Sequence, residues 1–256
     1  MRPNKIQQAW AEGRAAVNVF LCIPSSFSSE IMASLDWDSI TIDMQHGVTD
    51  YHSALHMMQA AARYDPSPMV RVPWNDPAII MKSLDAGAYG VICPMINTRE
   101  ECERFVGACR YAPAGYRSTG PVRASFYAGA DYHDHADTTV LTFAMIETQE
   151  AVDNLDEICS VPGLDAVYIG PSDLSVSIGK GPGGDQRDAD VMERIDATLA
   201  ATRRHGIKAG IHTMTAAYAN EMVEKGFDLV TLSSDFRLMM ASAAAILSDV
   251  NPRGKG

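Results

Sequence analysis

Two hydrophobic rhythms take turns along this chain. Short, mostly apolar runs, of the kind that form strands buried on both faces, alternate with stretches whose apolar residues recur every three or four positions, as on one face of a helix. The strand-like runs are Ala15 to Ile23, Ser39 to Met44, Pro68 to Val72, Tyr89 to Pro94, Leu141 to Glu147, Ala166 to Asp173, Lys208 to His212 and Phe227 to Leu232. Helical faces separate them. The first is Ser28 to Leu35, opened by serine caps, and the second carries Ala54, Leu55, Met58, Ala61 and Ala62. The third begins at Asp76-Pro77, a cap followed by proline at the first helical position, and stops at Gly87. Thr98 opens a fourth, with Cys102, Phe105, Val106 and Cys109 on one side. Later faces are Ala151, Val152, Leu155 and Ile158 within Thr148 to Gly163, then Val191, Ile195 and Leu199, then Ala216 to Lys225, and finally an eighth helix, Leu238 to Val250.

Eight strands alternating with helices at crossover spacing predict an α/β fold, a (β/α)8 TIM barrel forming a single domain over residues 1–256. A doubly wound sheet would need a phosphate-binding first turn. The glycine-rich stretch Gly179 to Gly184 has neither the dinucleotide-binding spacing nor the Lys-Ser/Thr of a P-loop, so it reads as a mobile loop. One segment breaks the rhythm: Pro113 to Asp137 mixes Gly, Pro, Ser, Arg and aromatic residues without periodicity, which predicts a long functional loop or lid.

In such a barrel, chemistry gathers where strands end. The predicted strand exits carry Asp43 and His46, Arg71, Glu147, Asp173 and His212. A carboxylate at the tip of an apolar strand must be paired, protonated or bound to a cation. Glu147 and Asp173 stand one strand–helix–strand unit apart, which suggests that they share a cation. An oxygen-rich pair with no cysteine beside it suits Mg2+ or Mn2+, with Co2+ as a further possibility. Arg71 offers a planar fork for a carboxylate or enolate oxygen, and His46 is the natural proton carrier near neutral pH. Together these groups fit enolate chemistry.

A Schiff-base aldolase uses the same barrel but needs a lysine in its mouth. Lys82 and Lys225 fall on helices, Lys5 and Lys255 in the tails, Lys180 in a loop and Lys208 at a strand entrance. A metal mechanism is preferred.

Charge and composition narrow the partners. The net charge of −11 and pI of about 5.0 argue against nucleic acid or an anionic membrane, either of which wants a basic face. Met1 to Gly13 has no apolar core of a secretion signal, and no run reaches spanning length, so a cytoplasmic enzyme is expected. Five cysteines without a C-x-x-C pair read as reduced, buried thiols. The stretch Asp131 to Asp137, with His133 and His135, resembles a metal cluster but lies off any strand exit and reads as solvated surface.

With those residues in place, the sequence resembles the HpcH/HpaI family of metal-dependent class II pyruvate aldolases, whose archetype cleaves 4-hydroxy-2-oxoheptanedioate. The resemblance spans nearly the whole chain. It is carried by Ile42-Asp43-Met44-Gln45-His46, Val70-Arg71-Val72-Pro73, Lys82 to Ala88, Ile146-Glu147-Thr148, Asn154 to Ile158 and Tyr168 to Leu174. It implies a barrel of the phosphoenolpyruvate/pyruvate-binding type, with Glu147 and Asp173 as ligands of the divalent ion. Arg71 would hold the enolate oxygen, and His46, oriented by Asp85, would move protons. Asp43 looks like a rim or subunit-interface group that binds metal waters or a neighbour's site. Backbone around Gly170, Pro171 and Ser172 would hold the pyruvate carboxylate, and Phe20 would line the pocket. The resemblance also implies a hexamer of dimers that exchange their eighth helix.

Some positions depart from the family pattern. Gln45 stands where Glu is more familiar, removing one negative charge beside His46, and His212-Thr213 replaces a more apolar strand end. Arg117, Arg123 and Tyr127 also differ in setting, and all of these changes are expected near the aldehyde half of the substrate, with His212 among the substrate-binding residues. The expected activity is reversible cleavage of a 4-hydroxy-2-oxo acid, heptanedioate-like or a 2-keto-3-deoxy sugar acid, to pyruvate or hydroxypyruvate plus an aldehyde. The alternatives are a related metal-enolate lyase, an oxaloacetate decarboxylase and a non-catalytic oxoacid-binding protein.

Overall fold

The strand-like runs all enter one sheet, and its two edges meet. The computed structural model describes residues 1–250. Its strands are β1 (Ala16–Leu21), β2 (Ser39–Asp43), β3 (Ser67–Arg71), β4 (Gly90–Cys93), β5 (Leu141–Ile146), β6 (Ala166–Ile169), β7 (Lys208–Thr213) and β8 (Leu229–Ser234). Each is parallel to its neighbour, in sequence order, and β8 pairs with β1 to close a barrel. This is the TIM barrel that the rhythm predicts.

Apart from the first and the last, helices return the chain from each strand exit to the next entrance. They are α1 (Lys5–Ala11), α2 (Ser26–Ala33), α3 (Tyr51–Ala61), α4 (Pro77–Asp85), α5 (Arg99–Cys109), α6 (Val122–Ala128), α7 (Tyr132–Thr139), α8 (Gln149–Asp153), α9 (Leu155–Cys159), α10 (Pro171–Ser177), α11 (Ala189–His205), α12 (Ala216–Lys225) and α13 (Asp235–Asp249). Local chemistry fixes their ends. Asp50, Asp76 and Thr98 each accept a backbone N–H from the first turn, and Thr98 completes a reciprocal capping box with Glu101. Gly206 and Gly226 close α11 and α12 in the left-handed conformation that other residues resist.

Strand side chains alternate between two cores. Phe20, Met69, Ile92, Phe143, Met145 and Tyr168 fill the barrel, while Val19, Ile42, Val70, Val91 and Ala144 pack outward on the helices. A polar cluster also lies inside. Asn18 donates to Thr231 Oγ1 at 2.8 Å and accepts from Ser39 and Thr41 at 2.9 Å each, so these buried groups are paired.

The structure corrects several expectations. Pro113 to Asp137 is not a lid, because it contains α6 and most of α7 and packs at the base of the barrel, where strands begin. There Arg2 N–H donates to Ala128 O, and the Asn4 amide donates to Tyr89 O and Thr139 O beside the entrances of β4 and β5. Arg117, Arg123 and Tyr127 therefore lie far from the aldehyde half. Their burial follows from packing against one another: Arg117 sits over the Tyr111 and Tyr132 rings, Arg123 over Tyr127. The unpredicted α1 adds Ile6 and Ala9 to the barrel core from below, with Trp10 half-buried beside Phe143. Thr148 to Gly163 is two short helices, broken at Asn154, which turns aside to donate to Asn97 O at 2.8 Å. The Asp131 stretch also lies at the base, where Asp131 pairs with the N-terminal amine at 2.6 Å.

Candidate active site

At the opposite end, the strand exits surround a cavity of about 470 Å³. Its wall includes Phe20, Asp43, His46, Arg71, Gly170, Pro171, Ser172, Asp173 and His212, so nine of the residues expected from sequence meet in one place. Closure of the sheet is what gathers them: parallel strands point every exit the same way.

Asp43 and Arg71 occupy paired positions at the ends of β2 and β3. Arg71 donates from Nε to Asp43 Oδ1 at 2.8 Å and from Nη2 to Oδ2 at 2.6 Å. Both residues are buried. Burial alone would push the Asp43 carboxyl up, but the Arg71 guanidinium and the N–H groups of Gln45 and His46 outweigh it and hold the carboxyl below its ordinary range. Within the chain Asp43 thus anchors both Arg71 and the turn that carries His46, a role the sequence did not indicate. The Nε and Nη2 edge of the guanidinium is spent on Asp43, which leaves Nη1 for a ligand.

Phe20 fixes the other side of Arg71. The guanidinium carbon lies 4.8 Å from the Phe20 ring centroid, and that ring stacks on Tyr168 at 6.0 Å. His212 approaches Phe20 at 5.2 Å, and its Nδ1 lies 3.3 Å from the Tyr168 hydroxyl. Burial and the charge of Arg71 push the His212 pKa down to about 4, so this ring is neutral at pH 7.

Glu147 follows β5 and Asp173 sits in the first turn of α10. The structure shortens β6, which ends at Ile169 because Pro171 starts that helix, so Asp173 is a helical residue and not a strand tip. Glu147 is 2% exposed, and its Oε1 accepts the Met95 N–H at 2.8 Å. To present that N–H, Met95 adopts a φ of 54°, a left-handed conformation costing about 1–2 kcal/mol in a residue with a Cβ. Gly170 is required by the same carboxylate: a Cβ there would lie 2.8 Å from Glu147 Oε2. Burial, reinforced by the nearby Asp173 charge, raises the Glu147 pKa to about 7 against the opposing Met95 N–H.

These two acids fit a divalent cation. Among the described residues no Lys, Arg or His nitrogen lies within 4.0 Å of either carboxylate, so Glu147, buried beside Gly170, and the exposed, cavity-lining Asp173 lack a protein counter-ion. No cluster of three His, Cys, Asp or Glu forms among the described residues, so a metal held by Glu147 and Asp173 would complete its shell from water and substrate.

Asp85 is the expected site residue that the chain places elsewhere. It ends α4 at the base and pairs with Arg117 Nη2 at 2.8 Å, because the helix runs the length of the barrel away from His46. Within one chain it does not orient His46. Gln45 stands beside the site without lining it, and its buried Oε1 has no partner among the described residues. The cavity wall also includes Cys22, Met145, Gly184, Met214, Ser234, Phe236 and Arg237, which sequence reasoning missed. For the last three a signal existed: they stand at the exit of the eighth strand, which obeys the same rule as the others.

Comparison with known proteins bears on this arrangement. The sequence profile of the HpcH/HpaI aldolase/citrate lyase family matches residues 17–242, from β1 into α13. The chain belongs to that family. A hydroxypyruvate/pyruvate aldolase from Rhizorhabdus wittichii is 41% identical over 96% of this chain and 98% of its own length. A 4-hydroxy-2-oxo-heptane-1,7-dioate aldolase from Klebsiella pneumoniae is 35% identical over 95% and 92%. A solved HpcH/HpaI family structure from Burkholderia cenocepacia superposes with a TM-score of 0.89, at 28% identity, over 96% of this chain and 98% of that one. As a family member this protein is an aldolase-type carbon–carbon lyase. None of its described helices is long and apolar enough to cross a membrane.

Proposed function

We propose that the chain cleaves a 4-hydroxy-2-oxo acid, reversibly, to pyruvate or hydroxypyruvate and an aldehyde, with a divalent metal ion, Mg2+ or Mn2+, held by Glu147 and Asp173. The observation that carries this reading is the pair of a buried Glu147 and an exposed Asp173, neither with a protein counter-ion, beside an Arg71 whose free edge opens on the same cavity as His46. The two relatives above act on substrates of this class, which supports the choice.

The metal would supply Lewis acidity to the substrate's ketone oxygen. The chain's own residues do the rest. His46 takes the proton of the C4 hydroxyl, and the C3–C4 bond then breaks, releasing the aldehyde and leaving its electron pair in the enolate of the oxo acid. Arg71 Nη1, held by Asp43 before substrate arrives, donates to the developing enolate oxygen without reorganising. His46 returns a proton to C3. Gly170 to Ser172, at the start of α10, lie where the substrate carboxylate would bind, and Phe20 covers the reacting carbons from water.

The test is direct. Exhaustive EDTA treatment abolishes cleavage, Mg2+, Mn2+ or Co2+ restores it, and borohydride traps no pyruvate adduct. Activity in excess chelator, or a trapped adduct, overturns the proposal.

The same reading extends to assembly. Met239, Met240, Ile246 and Leu247 on α13 are exposed in the single chain, an apolar surface that exchange of this helix between subunits of a hexamer would bury. Light scattering that returned a monomer mass would reject it.

A further inference from the structure

We propose that the first turn of α13 is an anion subsite that selects the aldehyde: Ser234 and Arg237 receive a carboxylate or phosphate carried at its far end. This assignment rests on the aldolase reading above and names the class of its second substrate.

Three observations meet there. The first concerns Ser234, which is the N-cap of a 15-residue helix, a position where a serine side chain ordinarily accepts an N–H from the next turn. Here it caps nothing. Its Oγ is buried, in a residue only 5% exposed, and has no hydrogen-bond partner among the described residues, yet Ser234 lines the cavity. A buried hydroxyl left unpaired is destabilising, and a ligand in the cavity would satisfy it.

The second observation is Arg237, three residues on. It lines the same cavity, lies 5.2 Å from the Phe236 ring centroid, and has no carboxylate within 4.0 Å among the described residues. Nearby acids are committed elsewhere. Asp235 accepts the N–H groups of Cys22, Ile23 and Phe236, and Asp185 those of Met214 together with the Thr215 hydroxyl.

The third is charge balance in the cavity as a whole. Arg71 is neutralised by Asp43, His212 is neutral, and Glu147 and Asp173 belong to the cation. Arg237 remains as surplus positive charge, reinforced by the positive end of the helix that bears it. Placed after β8, two strands beyond the exit of β6, it is reached by the part of a bound substrate that extends away from the oxo-acid end. A guanidinium and a serine hydroxyl, both donors, match an anion's acceptors and offer little to an alkyl tail.

The experiment compares aldehydes of similar length that end in a carboxylate, in a phosphate or in a neutral group. Each is condensed with pyruvate by the metal-loaded enzyme. The wild-type protein should favour one anionic aldehyde over the neutral one in kcat/KM, and the carboxylate and phosphate arms show which anion it takes. Arg237→Gln should lower that anionic-to-neutral ratio about thirtyfold and Ser234→Ala about fivefold, mostly through KM, with Arg237→Lys intermediate. Arg63→Gln, an exposed arginine outside the cavity, should leave the ratio alone. No anionic preference in the wild type, or equal losses on both aldehyde classes in Arg237→Gln, would overturn the subsite while leaving the aldolase intact. Failure to turn over any aldehyde with any metal rejects both.

Discussion

Two ends of one barrel each hold a buried arginine paired with an aspartate, and they are wired in opposite ways. At the base, Arg110 spends its guanidinium on Val140 O at 2.8 Å, Gly163 O at 2.9 Å and Asp165 at 2.6 Å, while Asp165 also takes the Thr142 N–H and hydroxyl. Both terminal nitrogens of Arg110 are thus tied to groups of the fold itself. At the mouth, Arg71 spends one edge on Asp43 and keeps the other, and Glu147 sits buried with a single backbone donor. A buried polar group that is fully satisfied stiffens a fold, whereas one left partly satisfied costs stability unless a ligand completes it. The difference separates structure from function where residue type alone does not.

Substitutions can break this contrast. The largest effect is expected from Glu147→Gln or Asp173→Asn, which should lower turnover about a thousandfold or more by removing a metal ligand. At pH 8 the metal-free Glu147→Gln protein should nevertheless melt no lower than the parent, because a buried, unpaired anion is gone. Calorimetry with and without metal reads both outcomes, and a large drop in metal-free melting temperature would place Glu147 among the satisfied groups instead.

Asp43→Asn comes next. Leaving Arg71 buried without its counter-ion should cost about 3–5 kcal/mol and reduce kcat about a hundredfold. Arg110→Met at the base should cost a similar stability while sparing turnover per folded molecule, so denaturant melts paired with active-site titration separate the two ends.

Glu147 also sets a pH dependence. Its folded pKa of about 7 lies above the ordinary 4.5, so the folded state holds the proton more tightly than the unfolded chain does. The stability contributed by the protonated form is present below about pH 4.5 and is lost as pH rises to about 7, roughly 3 kcal/mol in the metal-free protein. Metal competes with that proton, so its affinity should weaken about tenfold per pH unit below 7. Titration calorimetry at several pH values checks the slope, and a flat profile would remove Glu147 from the ligand set.

The smallest effect is expected at Lys208, which pairs with Asp228 at the entrance of β7 and lies over Trp10. Lys208→Met should change stability by no more than about 1 kcal/mol and leave turnover as it was. Lost activity would revive a Schiff-base route. The other lysines are no better placed: Lys5 begins α1 beside the start of β3, Lys180 pairs with Asp188 and Asp190, Lys225 with Asp196, Lys82 lies over Tyr51, and Lys255 falls outside the described residues.

Much of this was legible in the chain, and the part that was not has a common cause. Apolar runs and period-three-to-four patterns are local, as are caps such as Thr98 and stops such as Gly87, so the alternation of strands and helices, and with it the barrel, could be read directly. Once every strand is parallel, strand exits share one rim, which puts Arg71, His46, Glu147 and Asp173 at one end of the barrel. The sequence could not say which polar group each would meet. Asp43 and Asp85 both looked like partners for the site, but the register of β2 against β3 gave Asp43 to Arg71, and the length of α4 carried Asp85 to Arg117 at the far end. Likewise Arg117 and Arg123 read as substrate contacts until the return of α5 to the base took them with it. Residue type and period are properties of neighbours along the chain, and the sequence determined them. Which donors stay unspent, as at Ser234 and Arg237, depends on groups brought together from distant strands, and only the closed barrel decided that.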